Sequence, residues 1–204
     1  MAKRKQGFIE DKPEGVVYSK QNISLNDMHS YRILFRILIT LWRGKDWKGD
    51  FSPVSIDILN NLPLLSFVPA FLQLWTLCRF SELKQIKIKD IKAGGSFVIH
   101  STKSDNVKTA FPLPFISPQE LKSIKDKTKI VVVSYDSYKD SIIRVKDSIG
   151  FSPVENIKDC THIFRHLEAS FLSHRGASIS DISYKLGHSN EKTSLEYIHQ
   201  EWRF

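Results

Sequence analysis

The amino-acid sequence predicts a mainly helical α+β domain with one small antiparallel sheet, and three observations predict it. From residue 24 onward, apolar residues recur at helical spacing in segment after segment. One stretch, Ser96-Phe-Val-Ile-His-Ser101, follows a Gly94-Gly95 turn and has strand propensity instead. The 204 residues, 41% of them hydrophobic, suffice for a real core but would crowd two full domains.

Residues 1–23 read as a polar, basic tail broken by Pro13 and Gly15. A helix is expected from Ser24, which opens a Ser-Leu-Asn-Asp capping pattern, to Trp42 ahead of Gly44. Its apolar residues are dense enough from Ile33 to Trp42 that most of its circumference is expected to be covered. Gly44 to Pro53 reads as a linker or surface loop, dividing the chain into 1–50, a basic tail with a single helix, and 51–204, the main domain. Val54 to Asn61 forms the next helix, and Pro69 is placed to open another through Trp75 to about Lys84. Leu62 to Cys78 is the most apolar stretch, but Pro63 and Pro69 interrupt it and it falls short of the roughly 20 residues of a membrane span. A buried helix is expected there.

The strand candidate pairs with Val107 to Pro112 across Ser104-Asp105-Asn106, a hairpin with Lys103 at its tip. Three amphipathic segments follow: Pro118 to Lys125, Ser137 to Ile149, and His162 to Arg175, the last closed by Gly176. Ile130 to Val133 is a short buried strand or a helix lead-in; periodicity leaves both open. Ser178 to Leu186 and Lys192 to Trp202 complete the chain as short helices separated by Gly187-His188-Ser189-Asn190.

Thirty Lys and Arg against 22 Asp and Glu give a formal +8, which suits a polyanionic partner, although a solvated charged face explains it equally well. Cys78 and Cys160 are the only cysteines, so there is no disulfide framework and no paired Cys/His spacing for zinc. A reducing, cytoplasmic setting follows. The basic N-terminus lacks the apolar run and cleavage site of a signal peptide. A membrane-associated basic protein is weakly supported by the proline-broken apolar stretch.

Six polar positions have the chemistry to act on a phosphate, and each has an ordinary explanation when taken singly. Arg79 can pair with Glu82 three positions on. Lys103 can be a solvated turn residue. His162 and Arg165, three apart, share a helix face and could clamp an anion, or cap a helix beside a surface cation. His188 after Gly187 suits a helix C-terminus, where an imidazolium meets the dipole favourably. Tyr197 suits half-buried packing on a polar helix. The neighbouring His166 reads as a core or supporting histidine.

The joint pattern says more. In chain order, Thr76-Leu-Cys-Arg79-Phe-Ser-Glu82-Leu83, Thr102-Lys103-Ser104, His162-Ile-Phe-Arg165-His166, Leu186-Gly-His188-Ser-Asn with Thr193, and Tyr197-Ile-His199 resemble the catalytic domain of the tyrosine recombinase or phage integrase family. The resemblance covers roughly residues 60 to 200. It implies an active site of Arg79, Lys103, His162, Arg165, His188 and Tyr197, with Glu82 orienting the first arginine. It also implies site-specific recombination (integration, excision, inversion or resolution) through a 3′-phosphotyrosine intermediate, on double-stranded DNA, with self-association there as dimer or tetramer. Leu77 stands where the family usually has glycine, and Cys78 where leucine is common. Relatives usually carry a separate helical DNA-binding domain ahead of the catalytic one, and many continue past the tyrosine into a docking helix. Here a single predicted helix precedes the domain and seven residues, 198–204, follow Tyr197.

Phosphodiester chemistry explains the set. An attacked phosphate gathers charge on its non-bridging oxygens, to which two guanidiniums donate planar, paired hydrogen bonds. His188 adds a third donor. A phenol titrates near about pH 10 and an alkoxide leaving group is more basic still, so both protons must be moved. The resemblance puts Lys103 at the leaving oxygen and His162 as acceptor of the tyrosine proton. Charge is met by side chains, so neither metal nor cofactor is expected. Two other readings use the same residues: a type IB topoisomerase that relaxes supercoils, and an accessory DNA-binding protein of the same fold that does not recombine.

Overall fold

The computed structural model describes residues 46–87, 97–100, 107–110, 129–151 and 160–204, together with 32, 35, 36, 38–40 and 42–44. The basic tail, the Pro118–Lys125 helix and Lys103 lie outside the described residues.

Helices dominate. The described positions of 32–44 are helical. Among the described positions, Phe35, Leu38, Ile39 and Trp42 turn inward while Arg32, Arg36, Thr40 and Arg43 are exposed, so the described part of the helix has one covered and one exposed face. Phe35 meets Phe67 edge-on at 5.5 Å, and Trp42 meets Phe71 at 6.0 Å while its indole N–H donates to Asn60 Oδ1 at 2.7 Å. A 3-10 turn, Asp46–Asp50, occupies the expected loop.

Helix α1, Pro53–Asn61, starts where Ser52 Oγ accepts from the Ser55 amide, with proline at the first helical position. Helix α2, Leu64–Thr76, runs straight through Pro69 instead of starting there. A helix-interior proline costs about 3 kcal/mol. Phe67, Val68, Phe71, Leu72 and Leu74 are almost wholly buried, each worth about 1.5–3 kcal/mol, and together they outweigh that cost. The helix stops well before Lys84, because Leu77 adopts φ 51°, ψ 26° and Arg79 is extended. Arg79 therefore heads the short α3, Phe80–Leu83, rather than ending an apolar helix.

Strands β1, Phe97–His100, and β2, Val107–Ala110, pair antiparallel with Phe97 opposite Ala110 and His100 opposite Val107. Ile130 to Val133 forms no strand: a lone bridge joins Lys87 to Lys129, and the buried Ile130, Val131 and Val133 lead into α4, Tyr135–Ser148. A 3-10 turn, Cys160–His162, runs into α5, Ile163–His174. Helix α6, Ile179–Leu186, ends on Gly187 at φ 68°. Helix α7 is only Glu191–Leu195; Tyr197 to Trp202 are turns and irregular backbone, not the helix expected.

The main core joins the inward face of 32–44 with α1, α2, α4 and α5. A smaller apolar cluster of Leu77, Ala169, Ile182 and Leu186 lies apart, with Tyr197 and Ile198 packed on it. Among the described residues no helix is long and apolar enough to cross a membrane.

Candidate active site

Arg79 sits at the break between α2 and α3, where the Glu82 carboxylate accepts from both its backbone N–H, at 2.8 Å, and its guanidinium, at 3.0 Å. The ordinary i,i+3 pair is thus present, and it fixes the arginine at the helix start. Glu82 is buried and Arg79 half-buried.

Arg165, in the first turn of α5, has no solvent exposure. It is no surface cation. Nη1 donates to the Leu77 carbonyl, Nη2 donates to Leu186 O at 3.2 Å and approaches His188 Nε2 at 2.9 Å. Its Nε–H is buried without a hydrogen-bond partner among the described residues. Burial lowers the guanidinium's pKa; Tyr197 opposes that, Arg79 adds to it, and Glu82 opposes it. These groups are therefore close enough to feel one another's charge.

A guanidinium only donates, so His188 Nε2 accepts, and the ring's Nδ1–H is left to donate to Ser194 Oγ at 2.9 Å. In this arrangement His188 Nε2 serves as an acceptor, not as the donor the charge-stabilising role requires. The left-handed Gly187 turns the chain so that the His188 amide bonds back to Ser183 O at 3.0 Å, presenting the ring inward.

Tyr197 is half-buried among these groups. Arg165 Cζ lies 5.1 Å from its ring centre, and the rings of His188 and His162 lie at 5.1 and 6.3 Å. The His166 ring stacks on it at 4.5 Å. Five of the six expected residues thus gather from four chain segments, and the sixth, Lys103, belongs to 101–106 between β1 and β2, outside the described residues. Among the described residues no cluster of His, Cys, Asp and Glu could hold a metal ion.

Sequence reasoning missed two contributors. Gln73 is fully buried, and its Nε2 donates to Cys78 O at 3.2 Å and Thr161 O at 3.0 Å while its Oε1 accepts from the Tyr138 hydroxyl. One amide thus ties the Arg79 segment, the His162 turn and α4 together. Its signal was legible: it is the one polar residue from Phe67 to Trp75. Leu77 is the other, holding a left-handed conformation that costs a non-glycine residue about 1–2 kcal/mol and aiming its carbonyl at Arg165.

No protein-family model matches the chain, and no curated protein matches it. Solved structures similar to it are integrases and recombinases. The catalytic domain of bacteriophage HP1 integrase is 20% identical over 81% of this chain and 83% of its own, with a TM-score of 0.44. XerA recombinase is 17% identical over 93% of this chain and 62% of its own, at 0.48. A lambda integrase dimer bound to a core site is 14% identical over 94% and 65%, also at 0.48. The chain thus spans under two thirds of the last two. Likeness at this level carries no argument for chemistry, which rests on the side chains above.

Proposed function

We propose that the chain cuts and rejoins double-stranded DNA as a site-specific recombinase, with Tyr197 as nucleophile. The observation that carries this is the convergence of His162, Arg165 and His188 on one tyrosine, with Arg165 also bonded to the Leu77 carbonyl beside Arg79, so that segments up to 118 residues apart, 79 to 197, meet there. Such a gathering has no purpose in packing: two guanidiniums near each other repel, and burying Arg165 costs free energy that an apolar side chain would not. An arriving phosphate supplies the missing counter-charge and an acceptor for donors that now serve carbonyls and a ring nitrogen.

The Tyr197 oxygen attacks phosphorus, the bond to the 5′ oxygen breaks, and a 3′-phosphotyrosine forms. The phenolic proton passes to His162 and the leaving oxygen takes one from Lys103. Arg79, held by Glu82, and Arg165 balance the charge gathering on the non-bridging oxygens. His188 joins them once it is protonated and Arg165 turns from it to the phosphate. The ester conserves the energy of the broken bond, so another strand's 5′ hydroxyl reverses the step without ATP. Self-association on DNA belongs to the same reading.

The test is incubation with a pool of nicked duplexes with randomised centres, followed by mass analysis of covalent protein–DNA adducts. Wild type should give an adduct on the Tyr197 peptide and Tyr197→Phe none. An adduct formed by Y197F, or none by wild type, would overturn the proposal. Relaxation of plasmids of any sequence would point to the topoisomerase reading instead.

A further inference from the structure

Tyr197 lies outside regular structure, so something other than a helix must set its place. The hydroxyl of Ser170 on α5 donates to Tyr197 O at 3.2 Å and accepts from the His199 amide at 2.8 Å. One turn earlier on the same helix, His166 Nδ1 lies 2.9 Å from His199 Nε2. Both imidazoles are over nine-tenths buried. His199 Nδ1 lies 3.4 Å from Glu201 Oε1, and a carboxylate accepts, so Nδ1 carries the proton and Nε2 receives that of His166. The far face of His199 stacks on Trp202 at 4.2 Å, and Trp202 belongs to the main core. His166 in turn stacks on the Tyr197 ring.

An apolar pair would dock the segment at lower desolvation cost but without direction. Two imidazoles that satisfy each other admit one separation and one ring orientation, and therefore one register of residues 197–199 on α5. We propose that the His166–His199 pair, with Ser170, is a latch that sets the position of Tyr197, making these positioning residues for the strand-transfer step. The chemical consequence rests on Tyr197 being the nucleophile; the latch itself does not.

The test compares wild type with His199→Leu, which keeps bulk but no hydrogen bond, and His199→Gln, which restores an acceptor for His166. Amide hydrogen exchange at 198 and 199 reports the latch, adduct formation on the randomised nicked duplexes reports the chemistry, and gel retardation on the same duplexes reports DNA binding. H199L should raise exchange and lower adduct yield by about tenfold each, the loss of about one buried hydrogen bond, with DNA binding within about twofold. H199Q should recover most of both. Wild-type exchange and adduct yield in H199L would overturn the latch. So would a loss of adduct, without altered exchange, that H199Q fails to recover. If exchange responds as expected while wild type forms no adduct, the latch stands and the nucleophile assignment falls. Should H199L fail to fold, Ser170→Ala, which removes the hydroxyl between Tyr197 and His199, carries the same comparison, and unchanged exchange there overturns the latch.

Discussion

Glu168, on α5 three residues past Arg165, is a buried carboxylate with no ion pair among the described residues. Its two oxygens accept from the Ser52 amide at 3.1 and 3.4 Å, tying α5 to the start of α1. Burial raises its pKa from 4.5 to about 7, against the lowering effect of hydrogen bonds from Ser55 and Ser52 and of the Lys185 charge. A carboxyl whose folded pKa lies above its unfolded value leaves stability intact below the unfolded value and drains it as pH rises through the folded one. From 4.5 to about 7 that amounts to about 3 kcal/mol. The wild-type pH curve alone will not isolate it. Nearby His166 is pushed down from 6.5 to about 3, by burial first and then by His199, His162 and Arg165, so it contributes stability above pH 6.5 that is lost as pH falls towards 3. The two slopes oppose each other. Glu168→Gln separates them, because glutamine keeps the shape and the acceptor but never ionises. Urea unfolding of both proteins should show the stability of E168Q gaining on wild type by about 3 kcal/mol between about pH 4 and about pH 9, most of it between 4.5 and 7. A difference independent of pH would refute the argument that Glu168 ionises in a desolvated site.

Three further outcomes are expected. Leu77→Gly relieves about 1–2 kcal/mol of left-handed strain but deletes a buried leucine, whose loss costs about 2.7–5 kcal/mol even as alanine, so thermal unfolding should show a net loss of about 1–4 kcal/mol; a more stable variant would mean strain dominates. Arg165→Lys keeps the charge but cannot span Leu77 O, Leu186 O and His188 together, and adduct formation should fall about 10²–10³-fold in single-turnover assays; near-wild-type rates would show that charge alone suffices. DNA retention should weaken linearly in log–log fashion with added salt, as phosphate contacts release counterions, and a salt-independent affinity would remove the phosphate backbone from the interface.

How much of this was legible in sequence depended on what set each feature. The amphipathic helices after residue 130 appeared near their expected bounds because apolar spacing and caps such as Ser134 and Ser178 are local signals. The helix through Pro69 was misplaced because proline's local preference lost to burial, a tertiary quantity. The break at Leu77 was invisible because leucine carries no mark of a left-handed conformation; only its place where the resembled family has glycine hinted at it. The same applies to the tail. Polar periodicity continued through Lys192–Trp202, but contacts from α5 replaced the backbone hydrogen bonds that a helix would have used. The positions of the charged candidates were readable from motif spacing, whereas the burial of Arg165 and the acceptor role of His188 depend on carbonyls that no sequence pattern displays.

The Gln73 amide has a consequence for how the chain matures. Its three hydrogen bonds reach Cys78, Thr161 and Tyr138, the farthest 88 residues away in sequence. Until α4 and the turn before α5 have both arrived, the amide lacks the Tyr138 hydroxyl that donates to it and the Thr161 carbonyl that accepts from it, and the arginine-bearing and histidine-bearing segments have no common reference. A partly unfolded chain thus holds every candidate side chain yet no assembled centre.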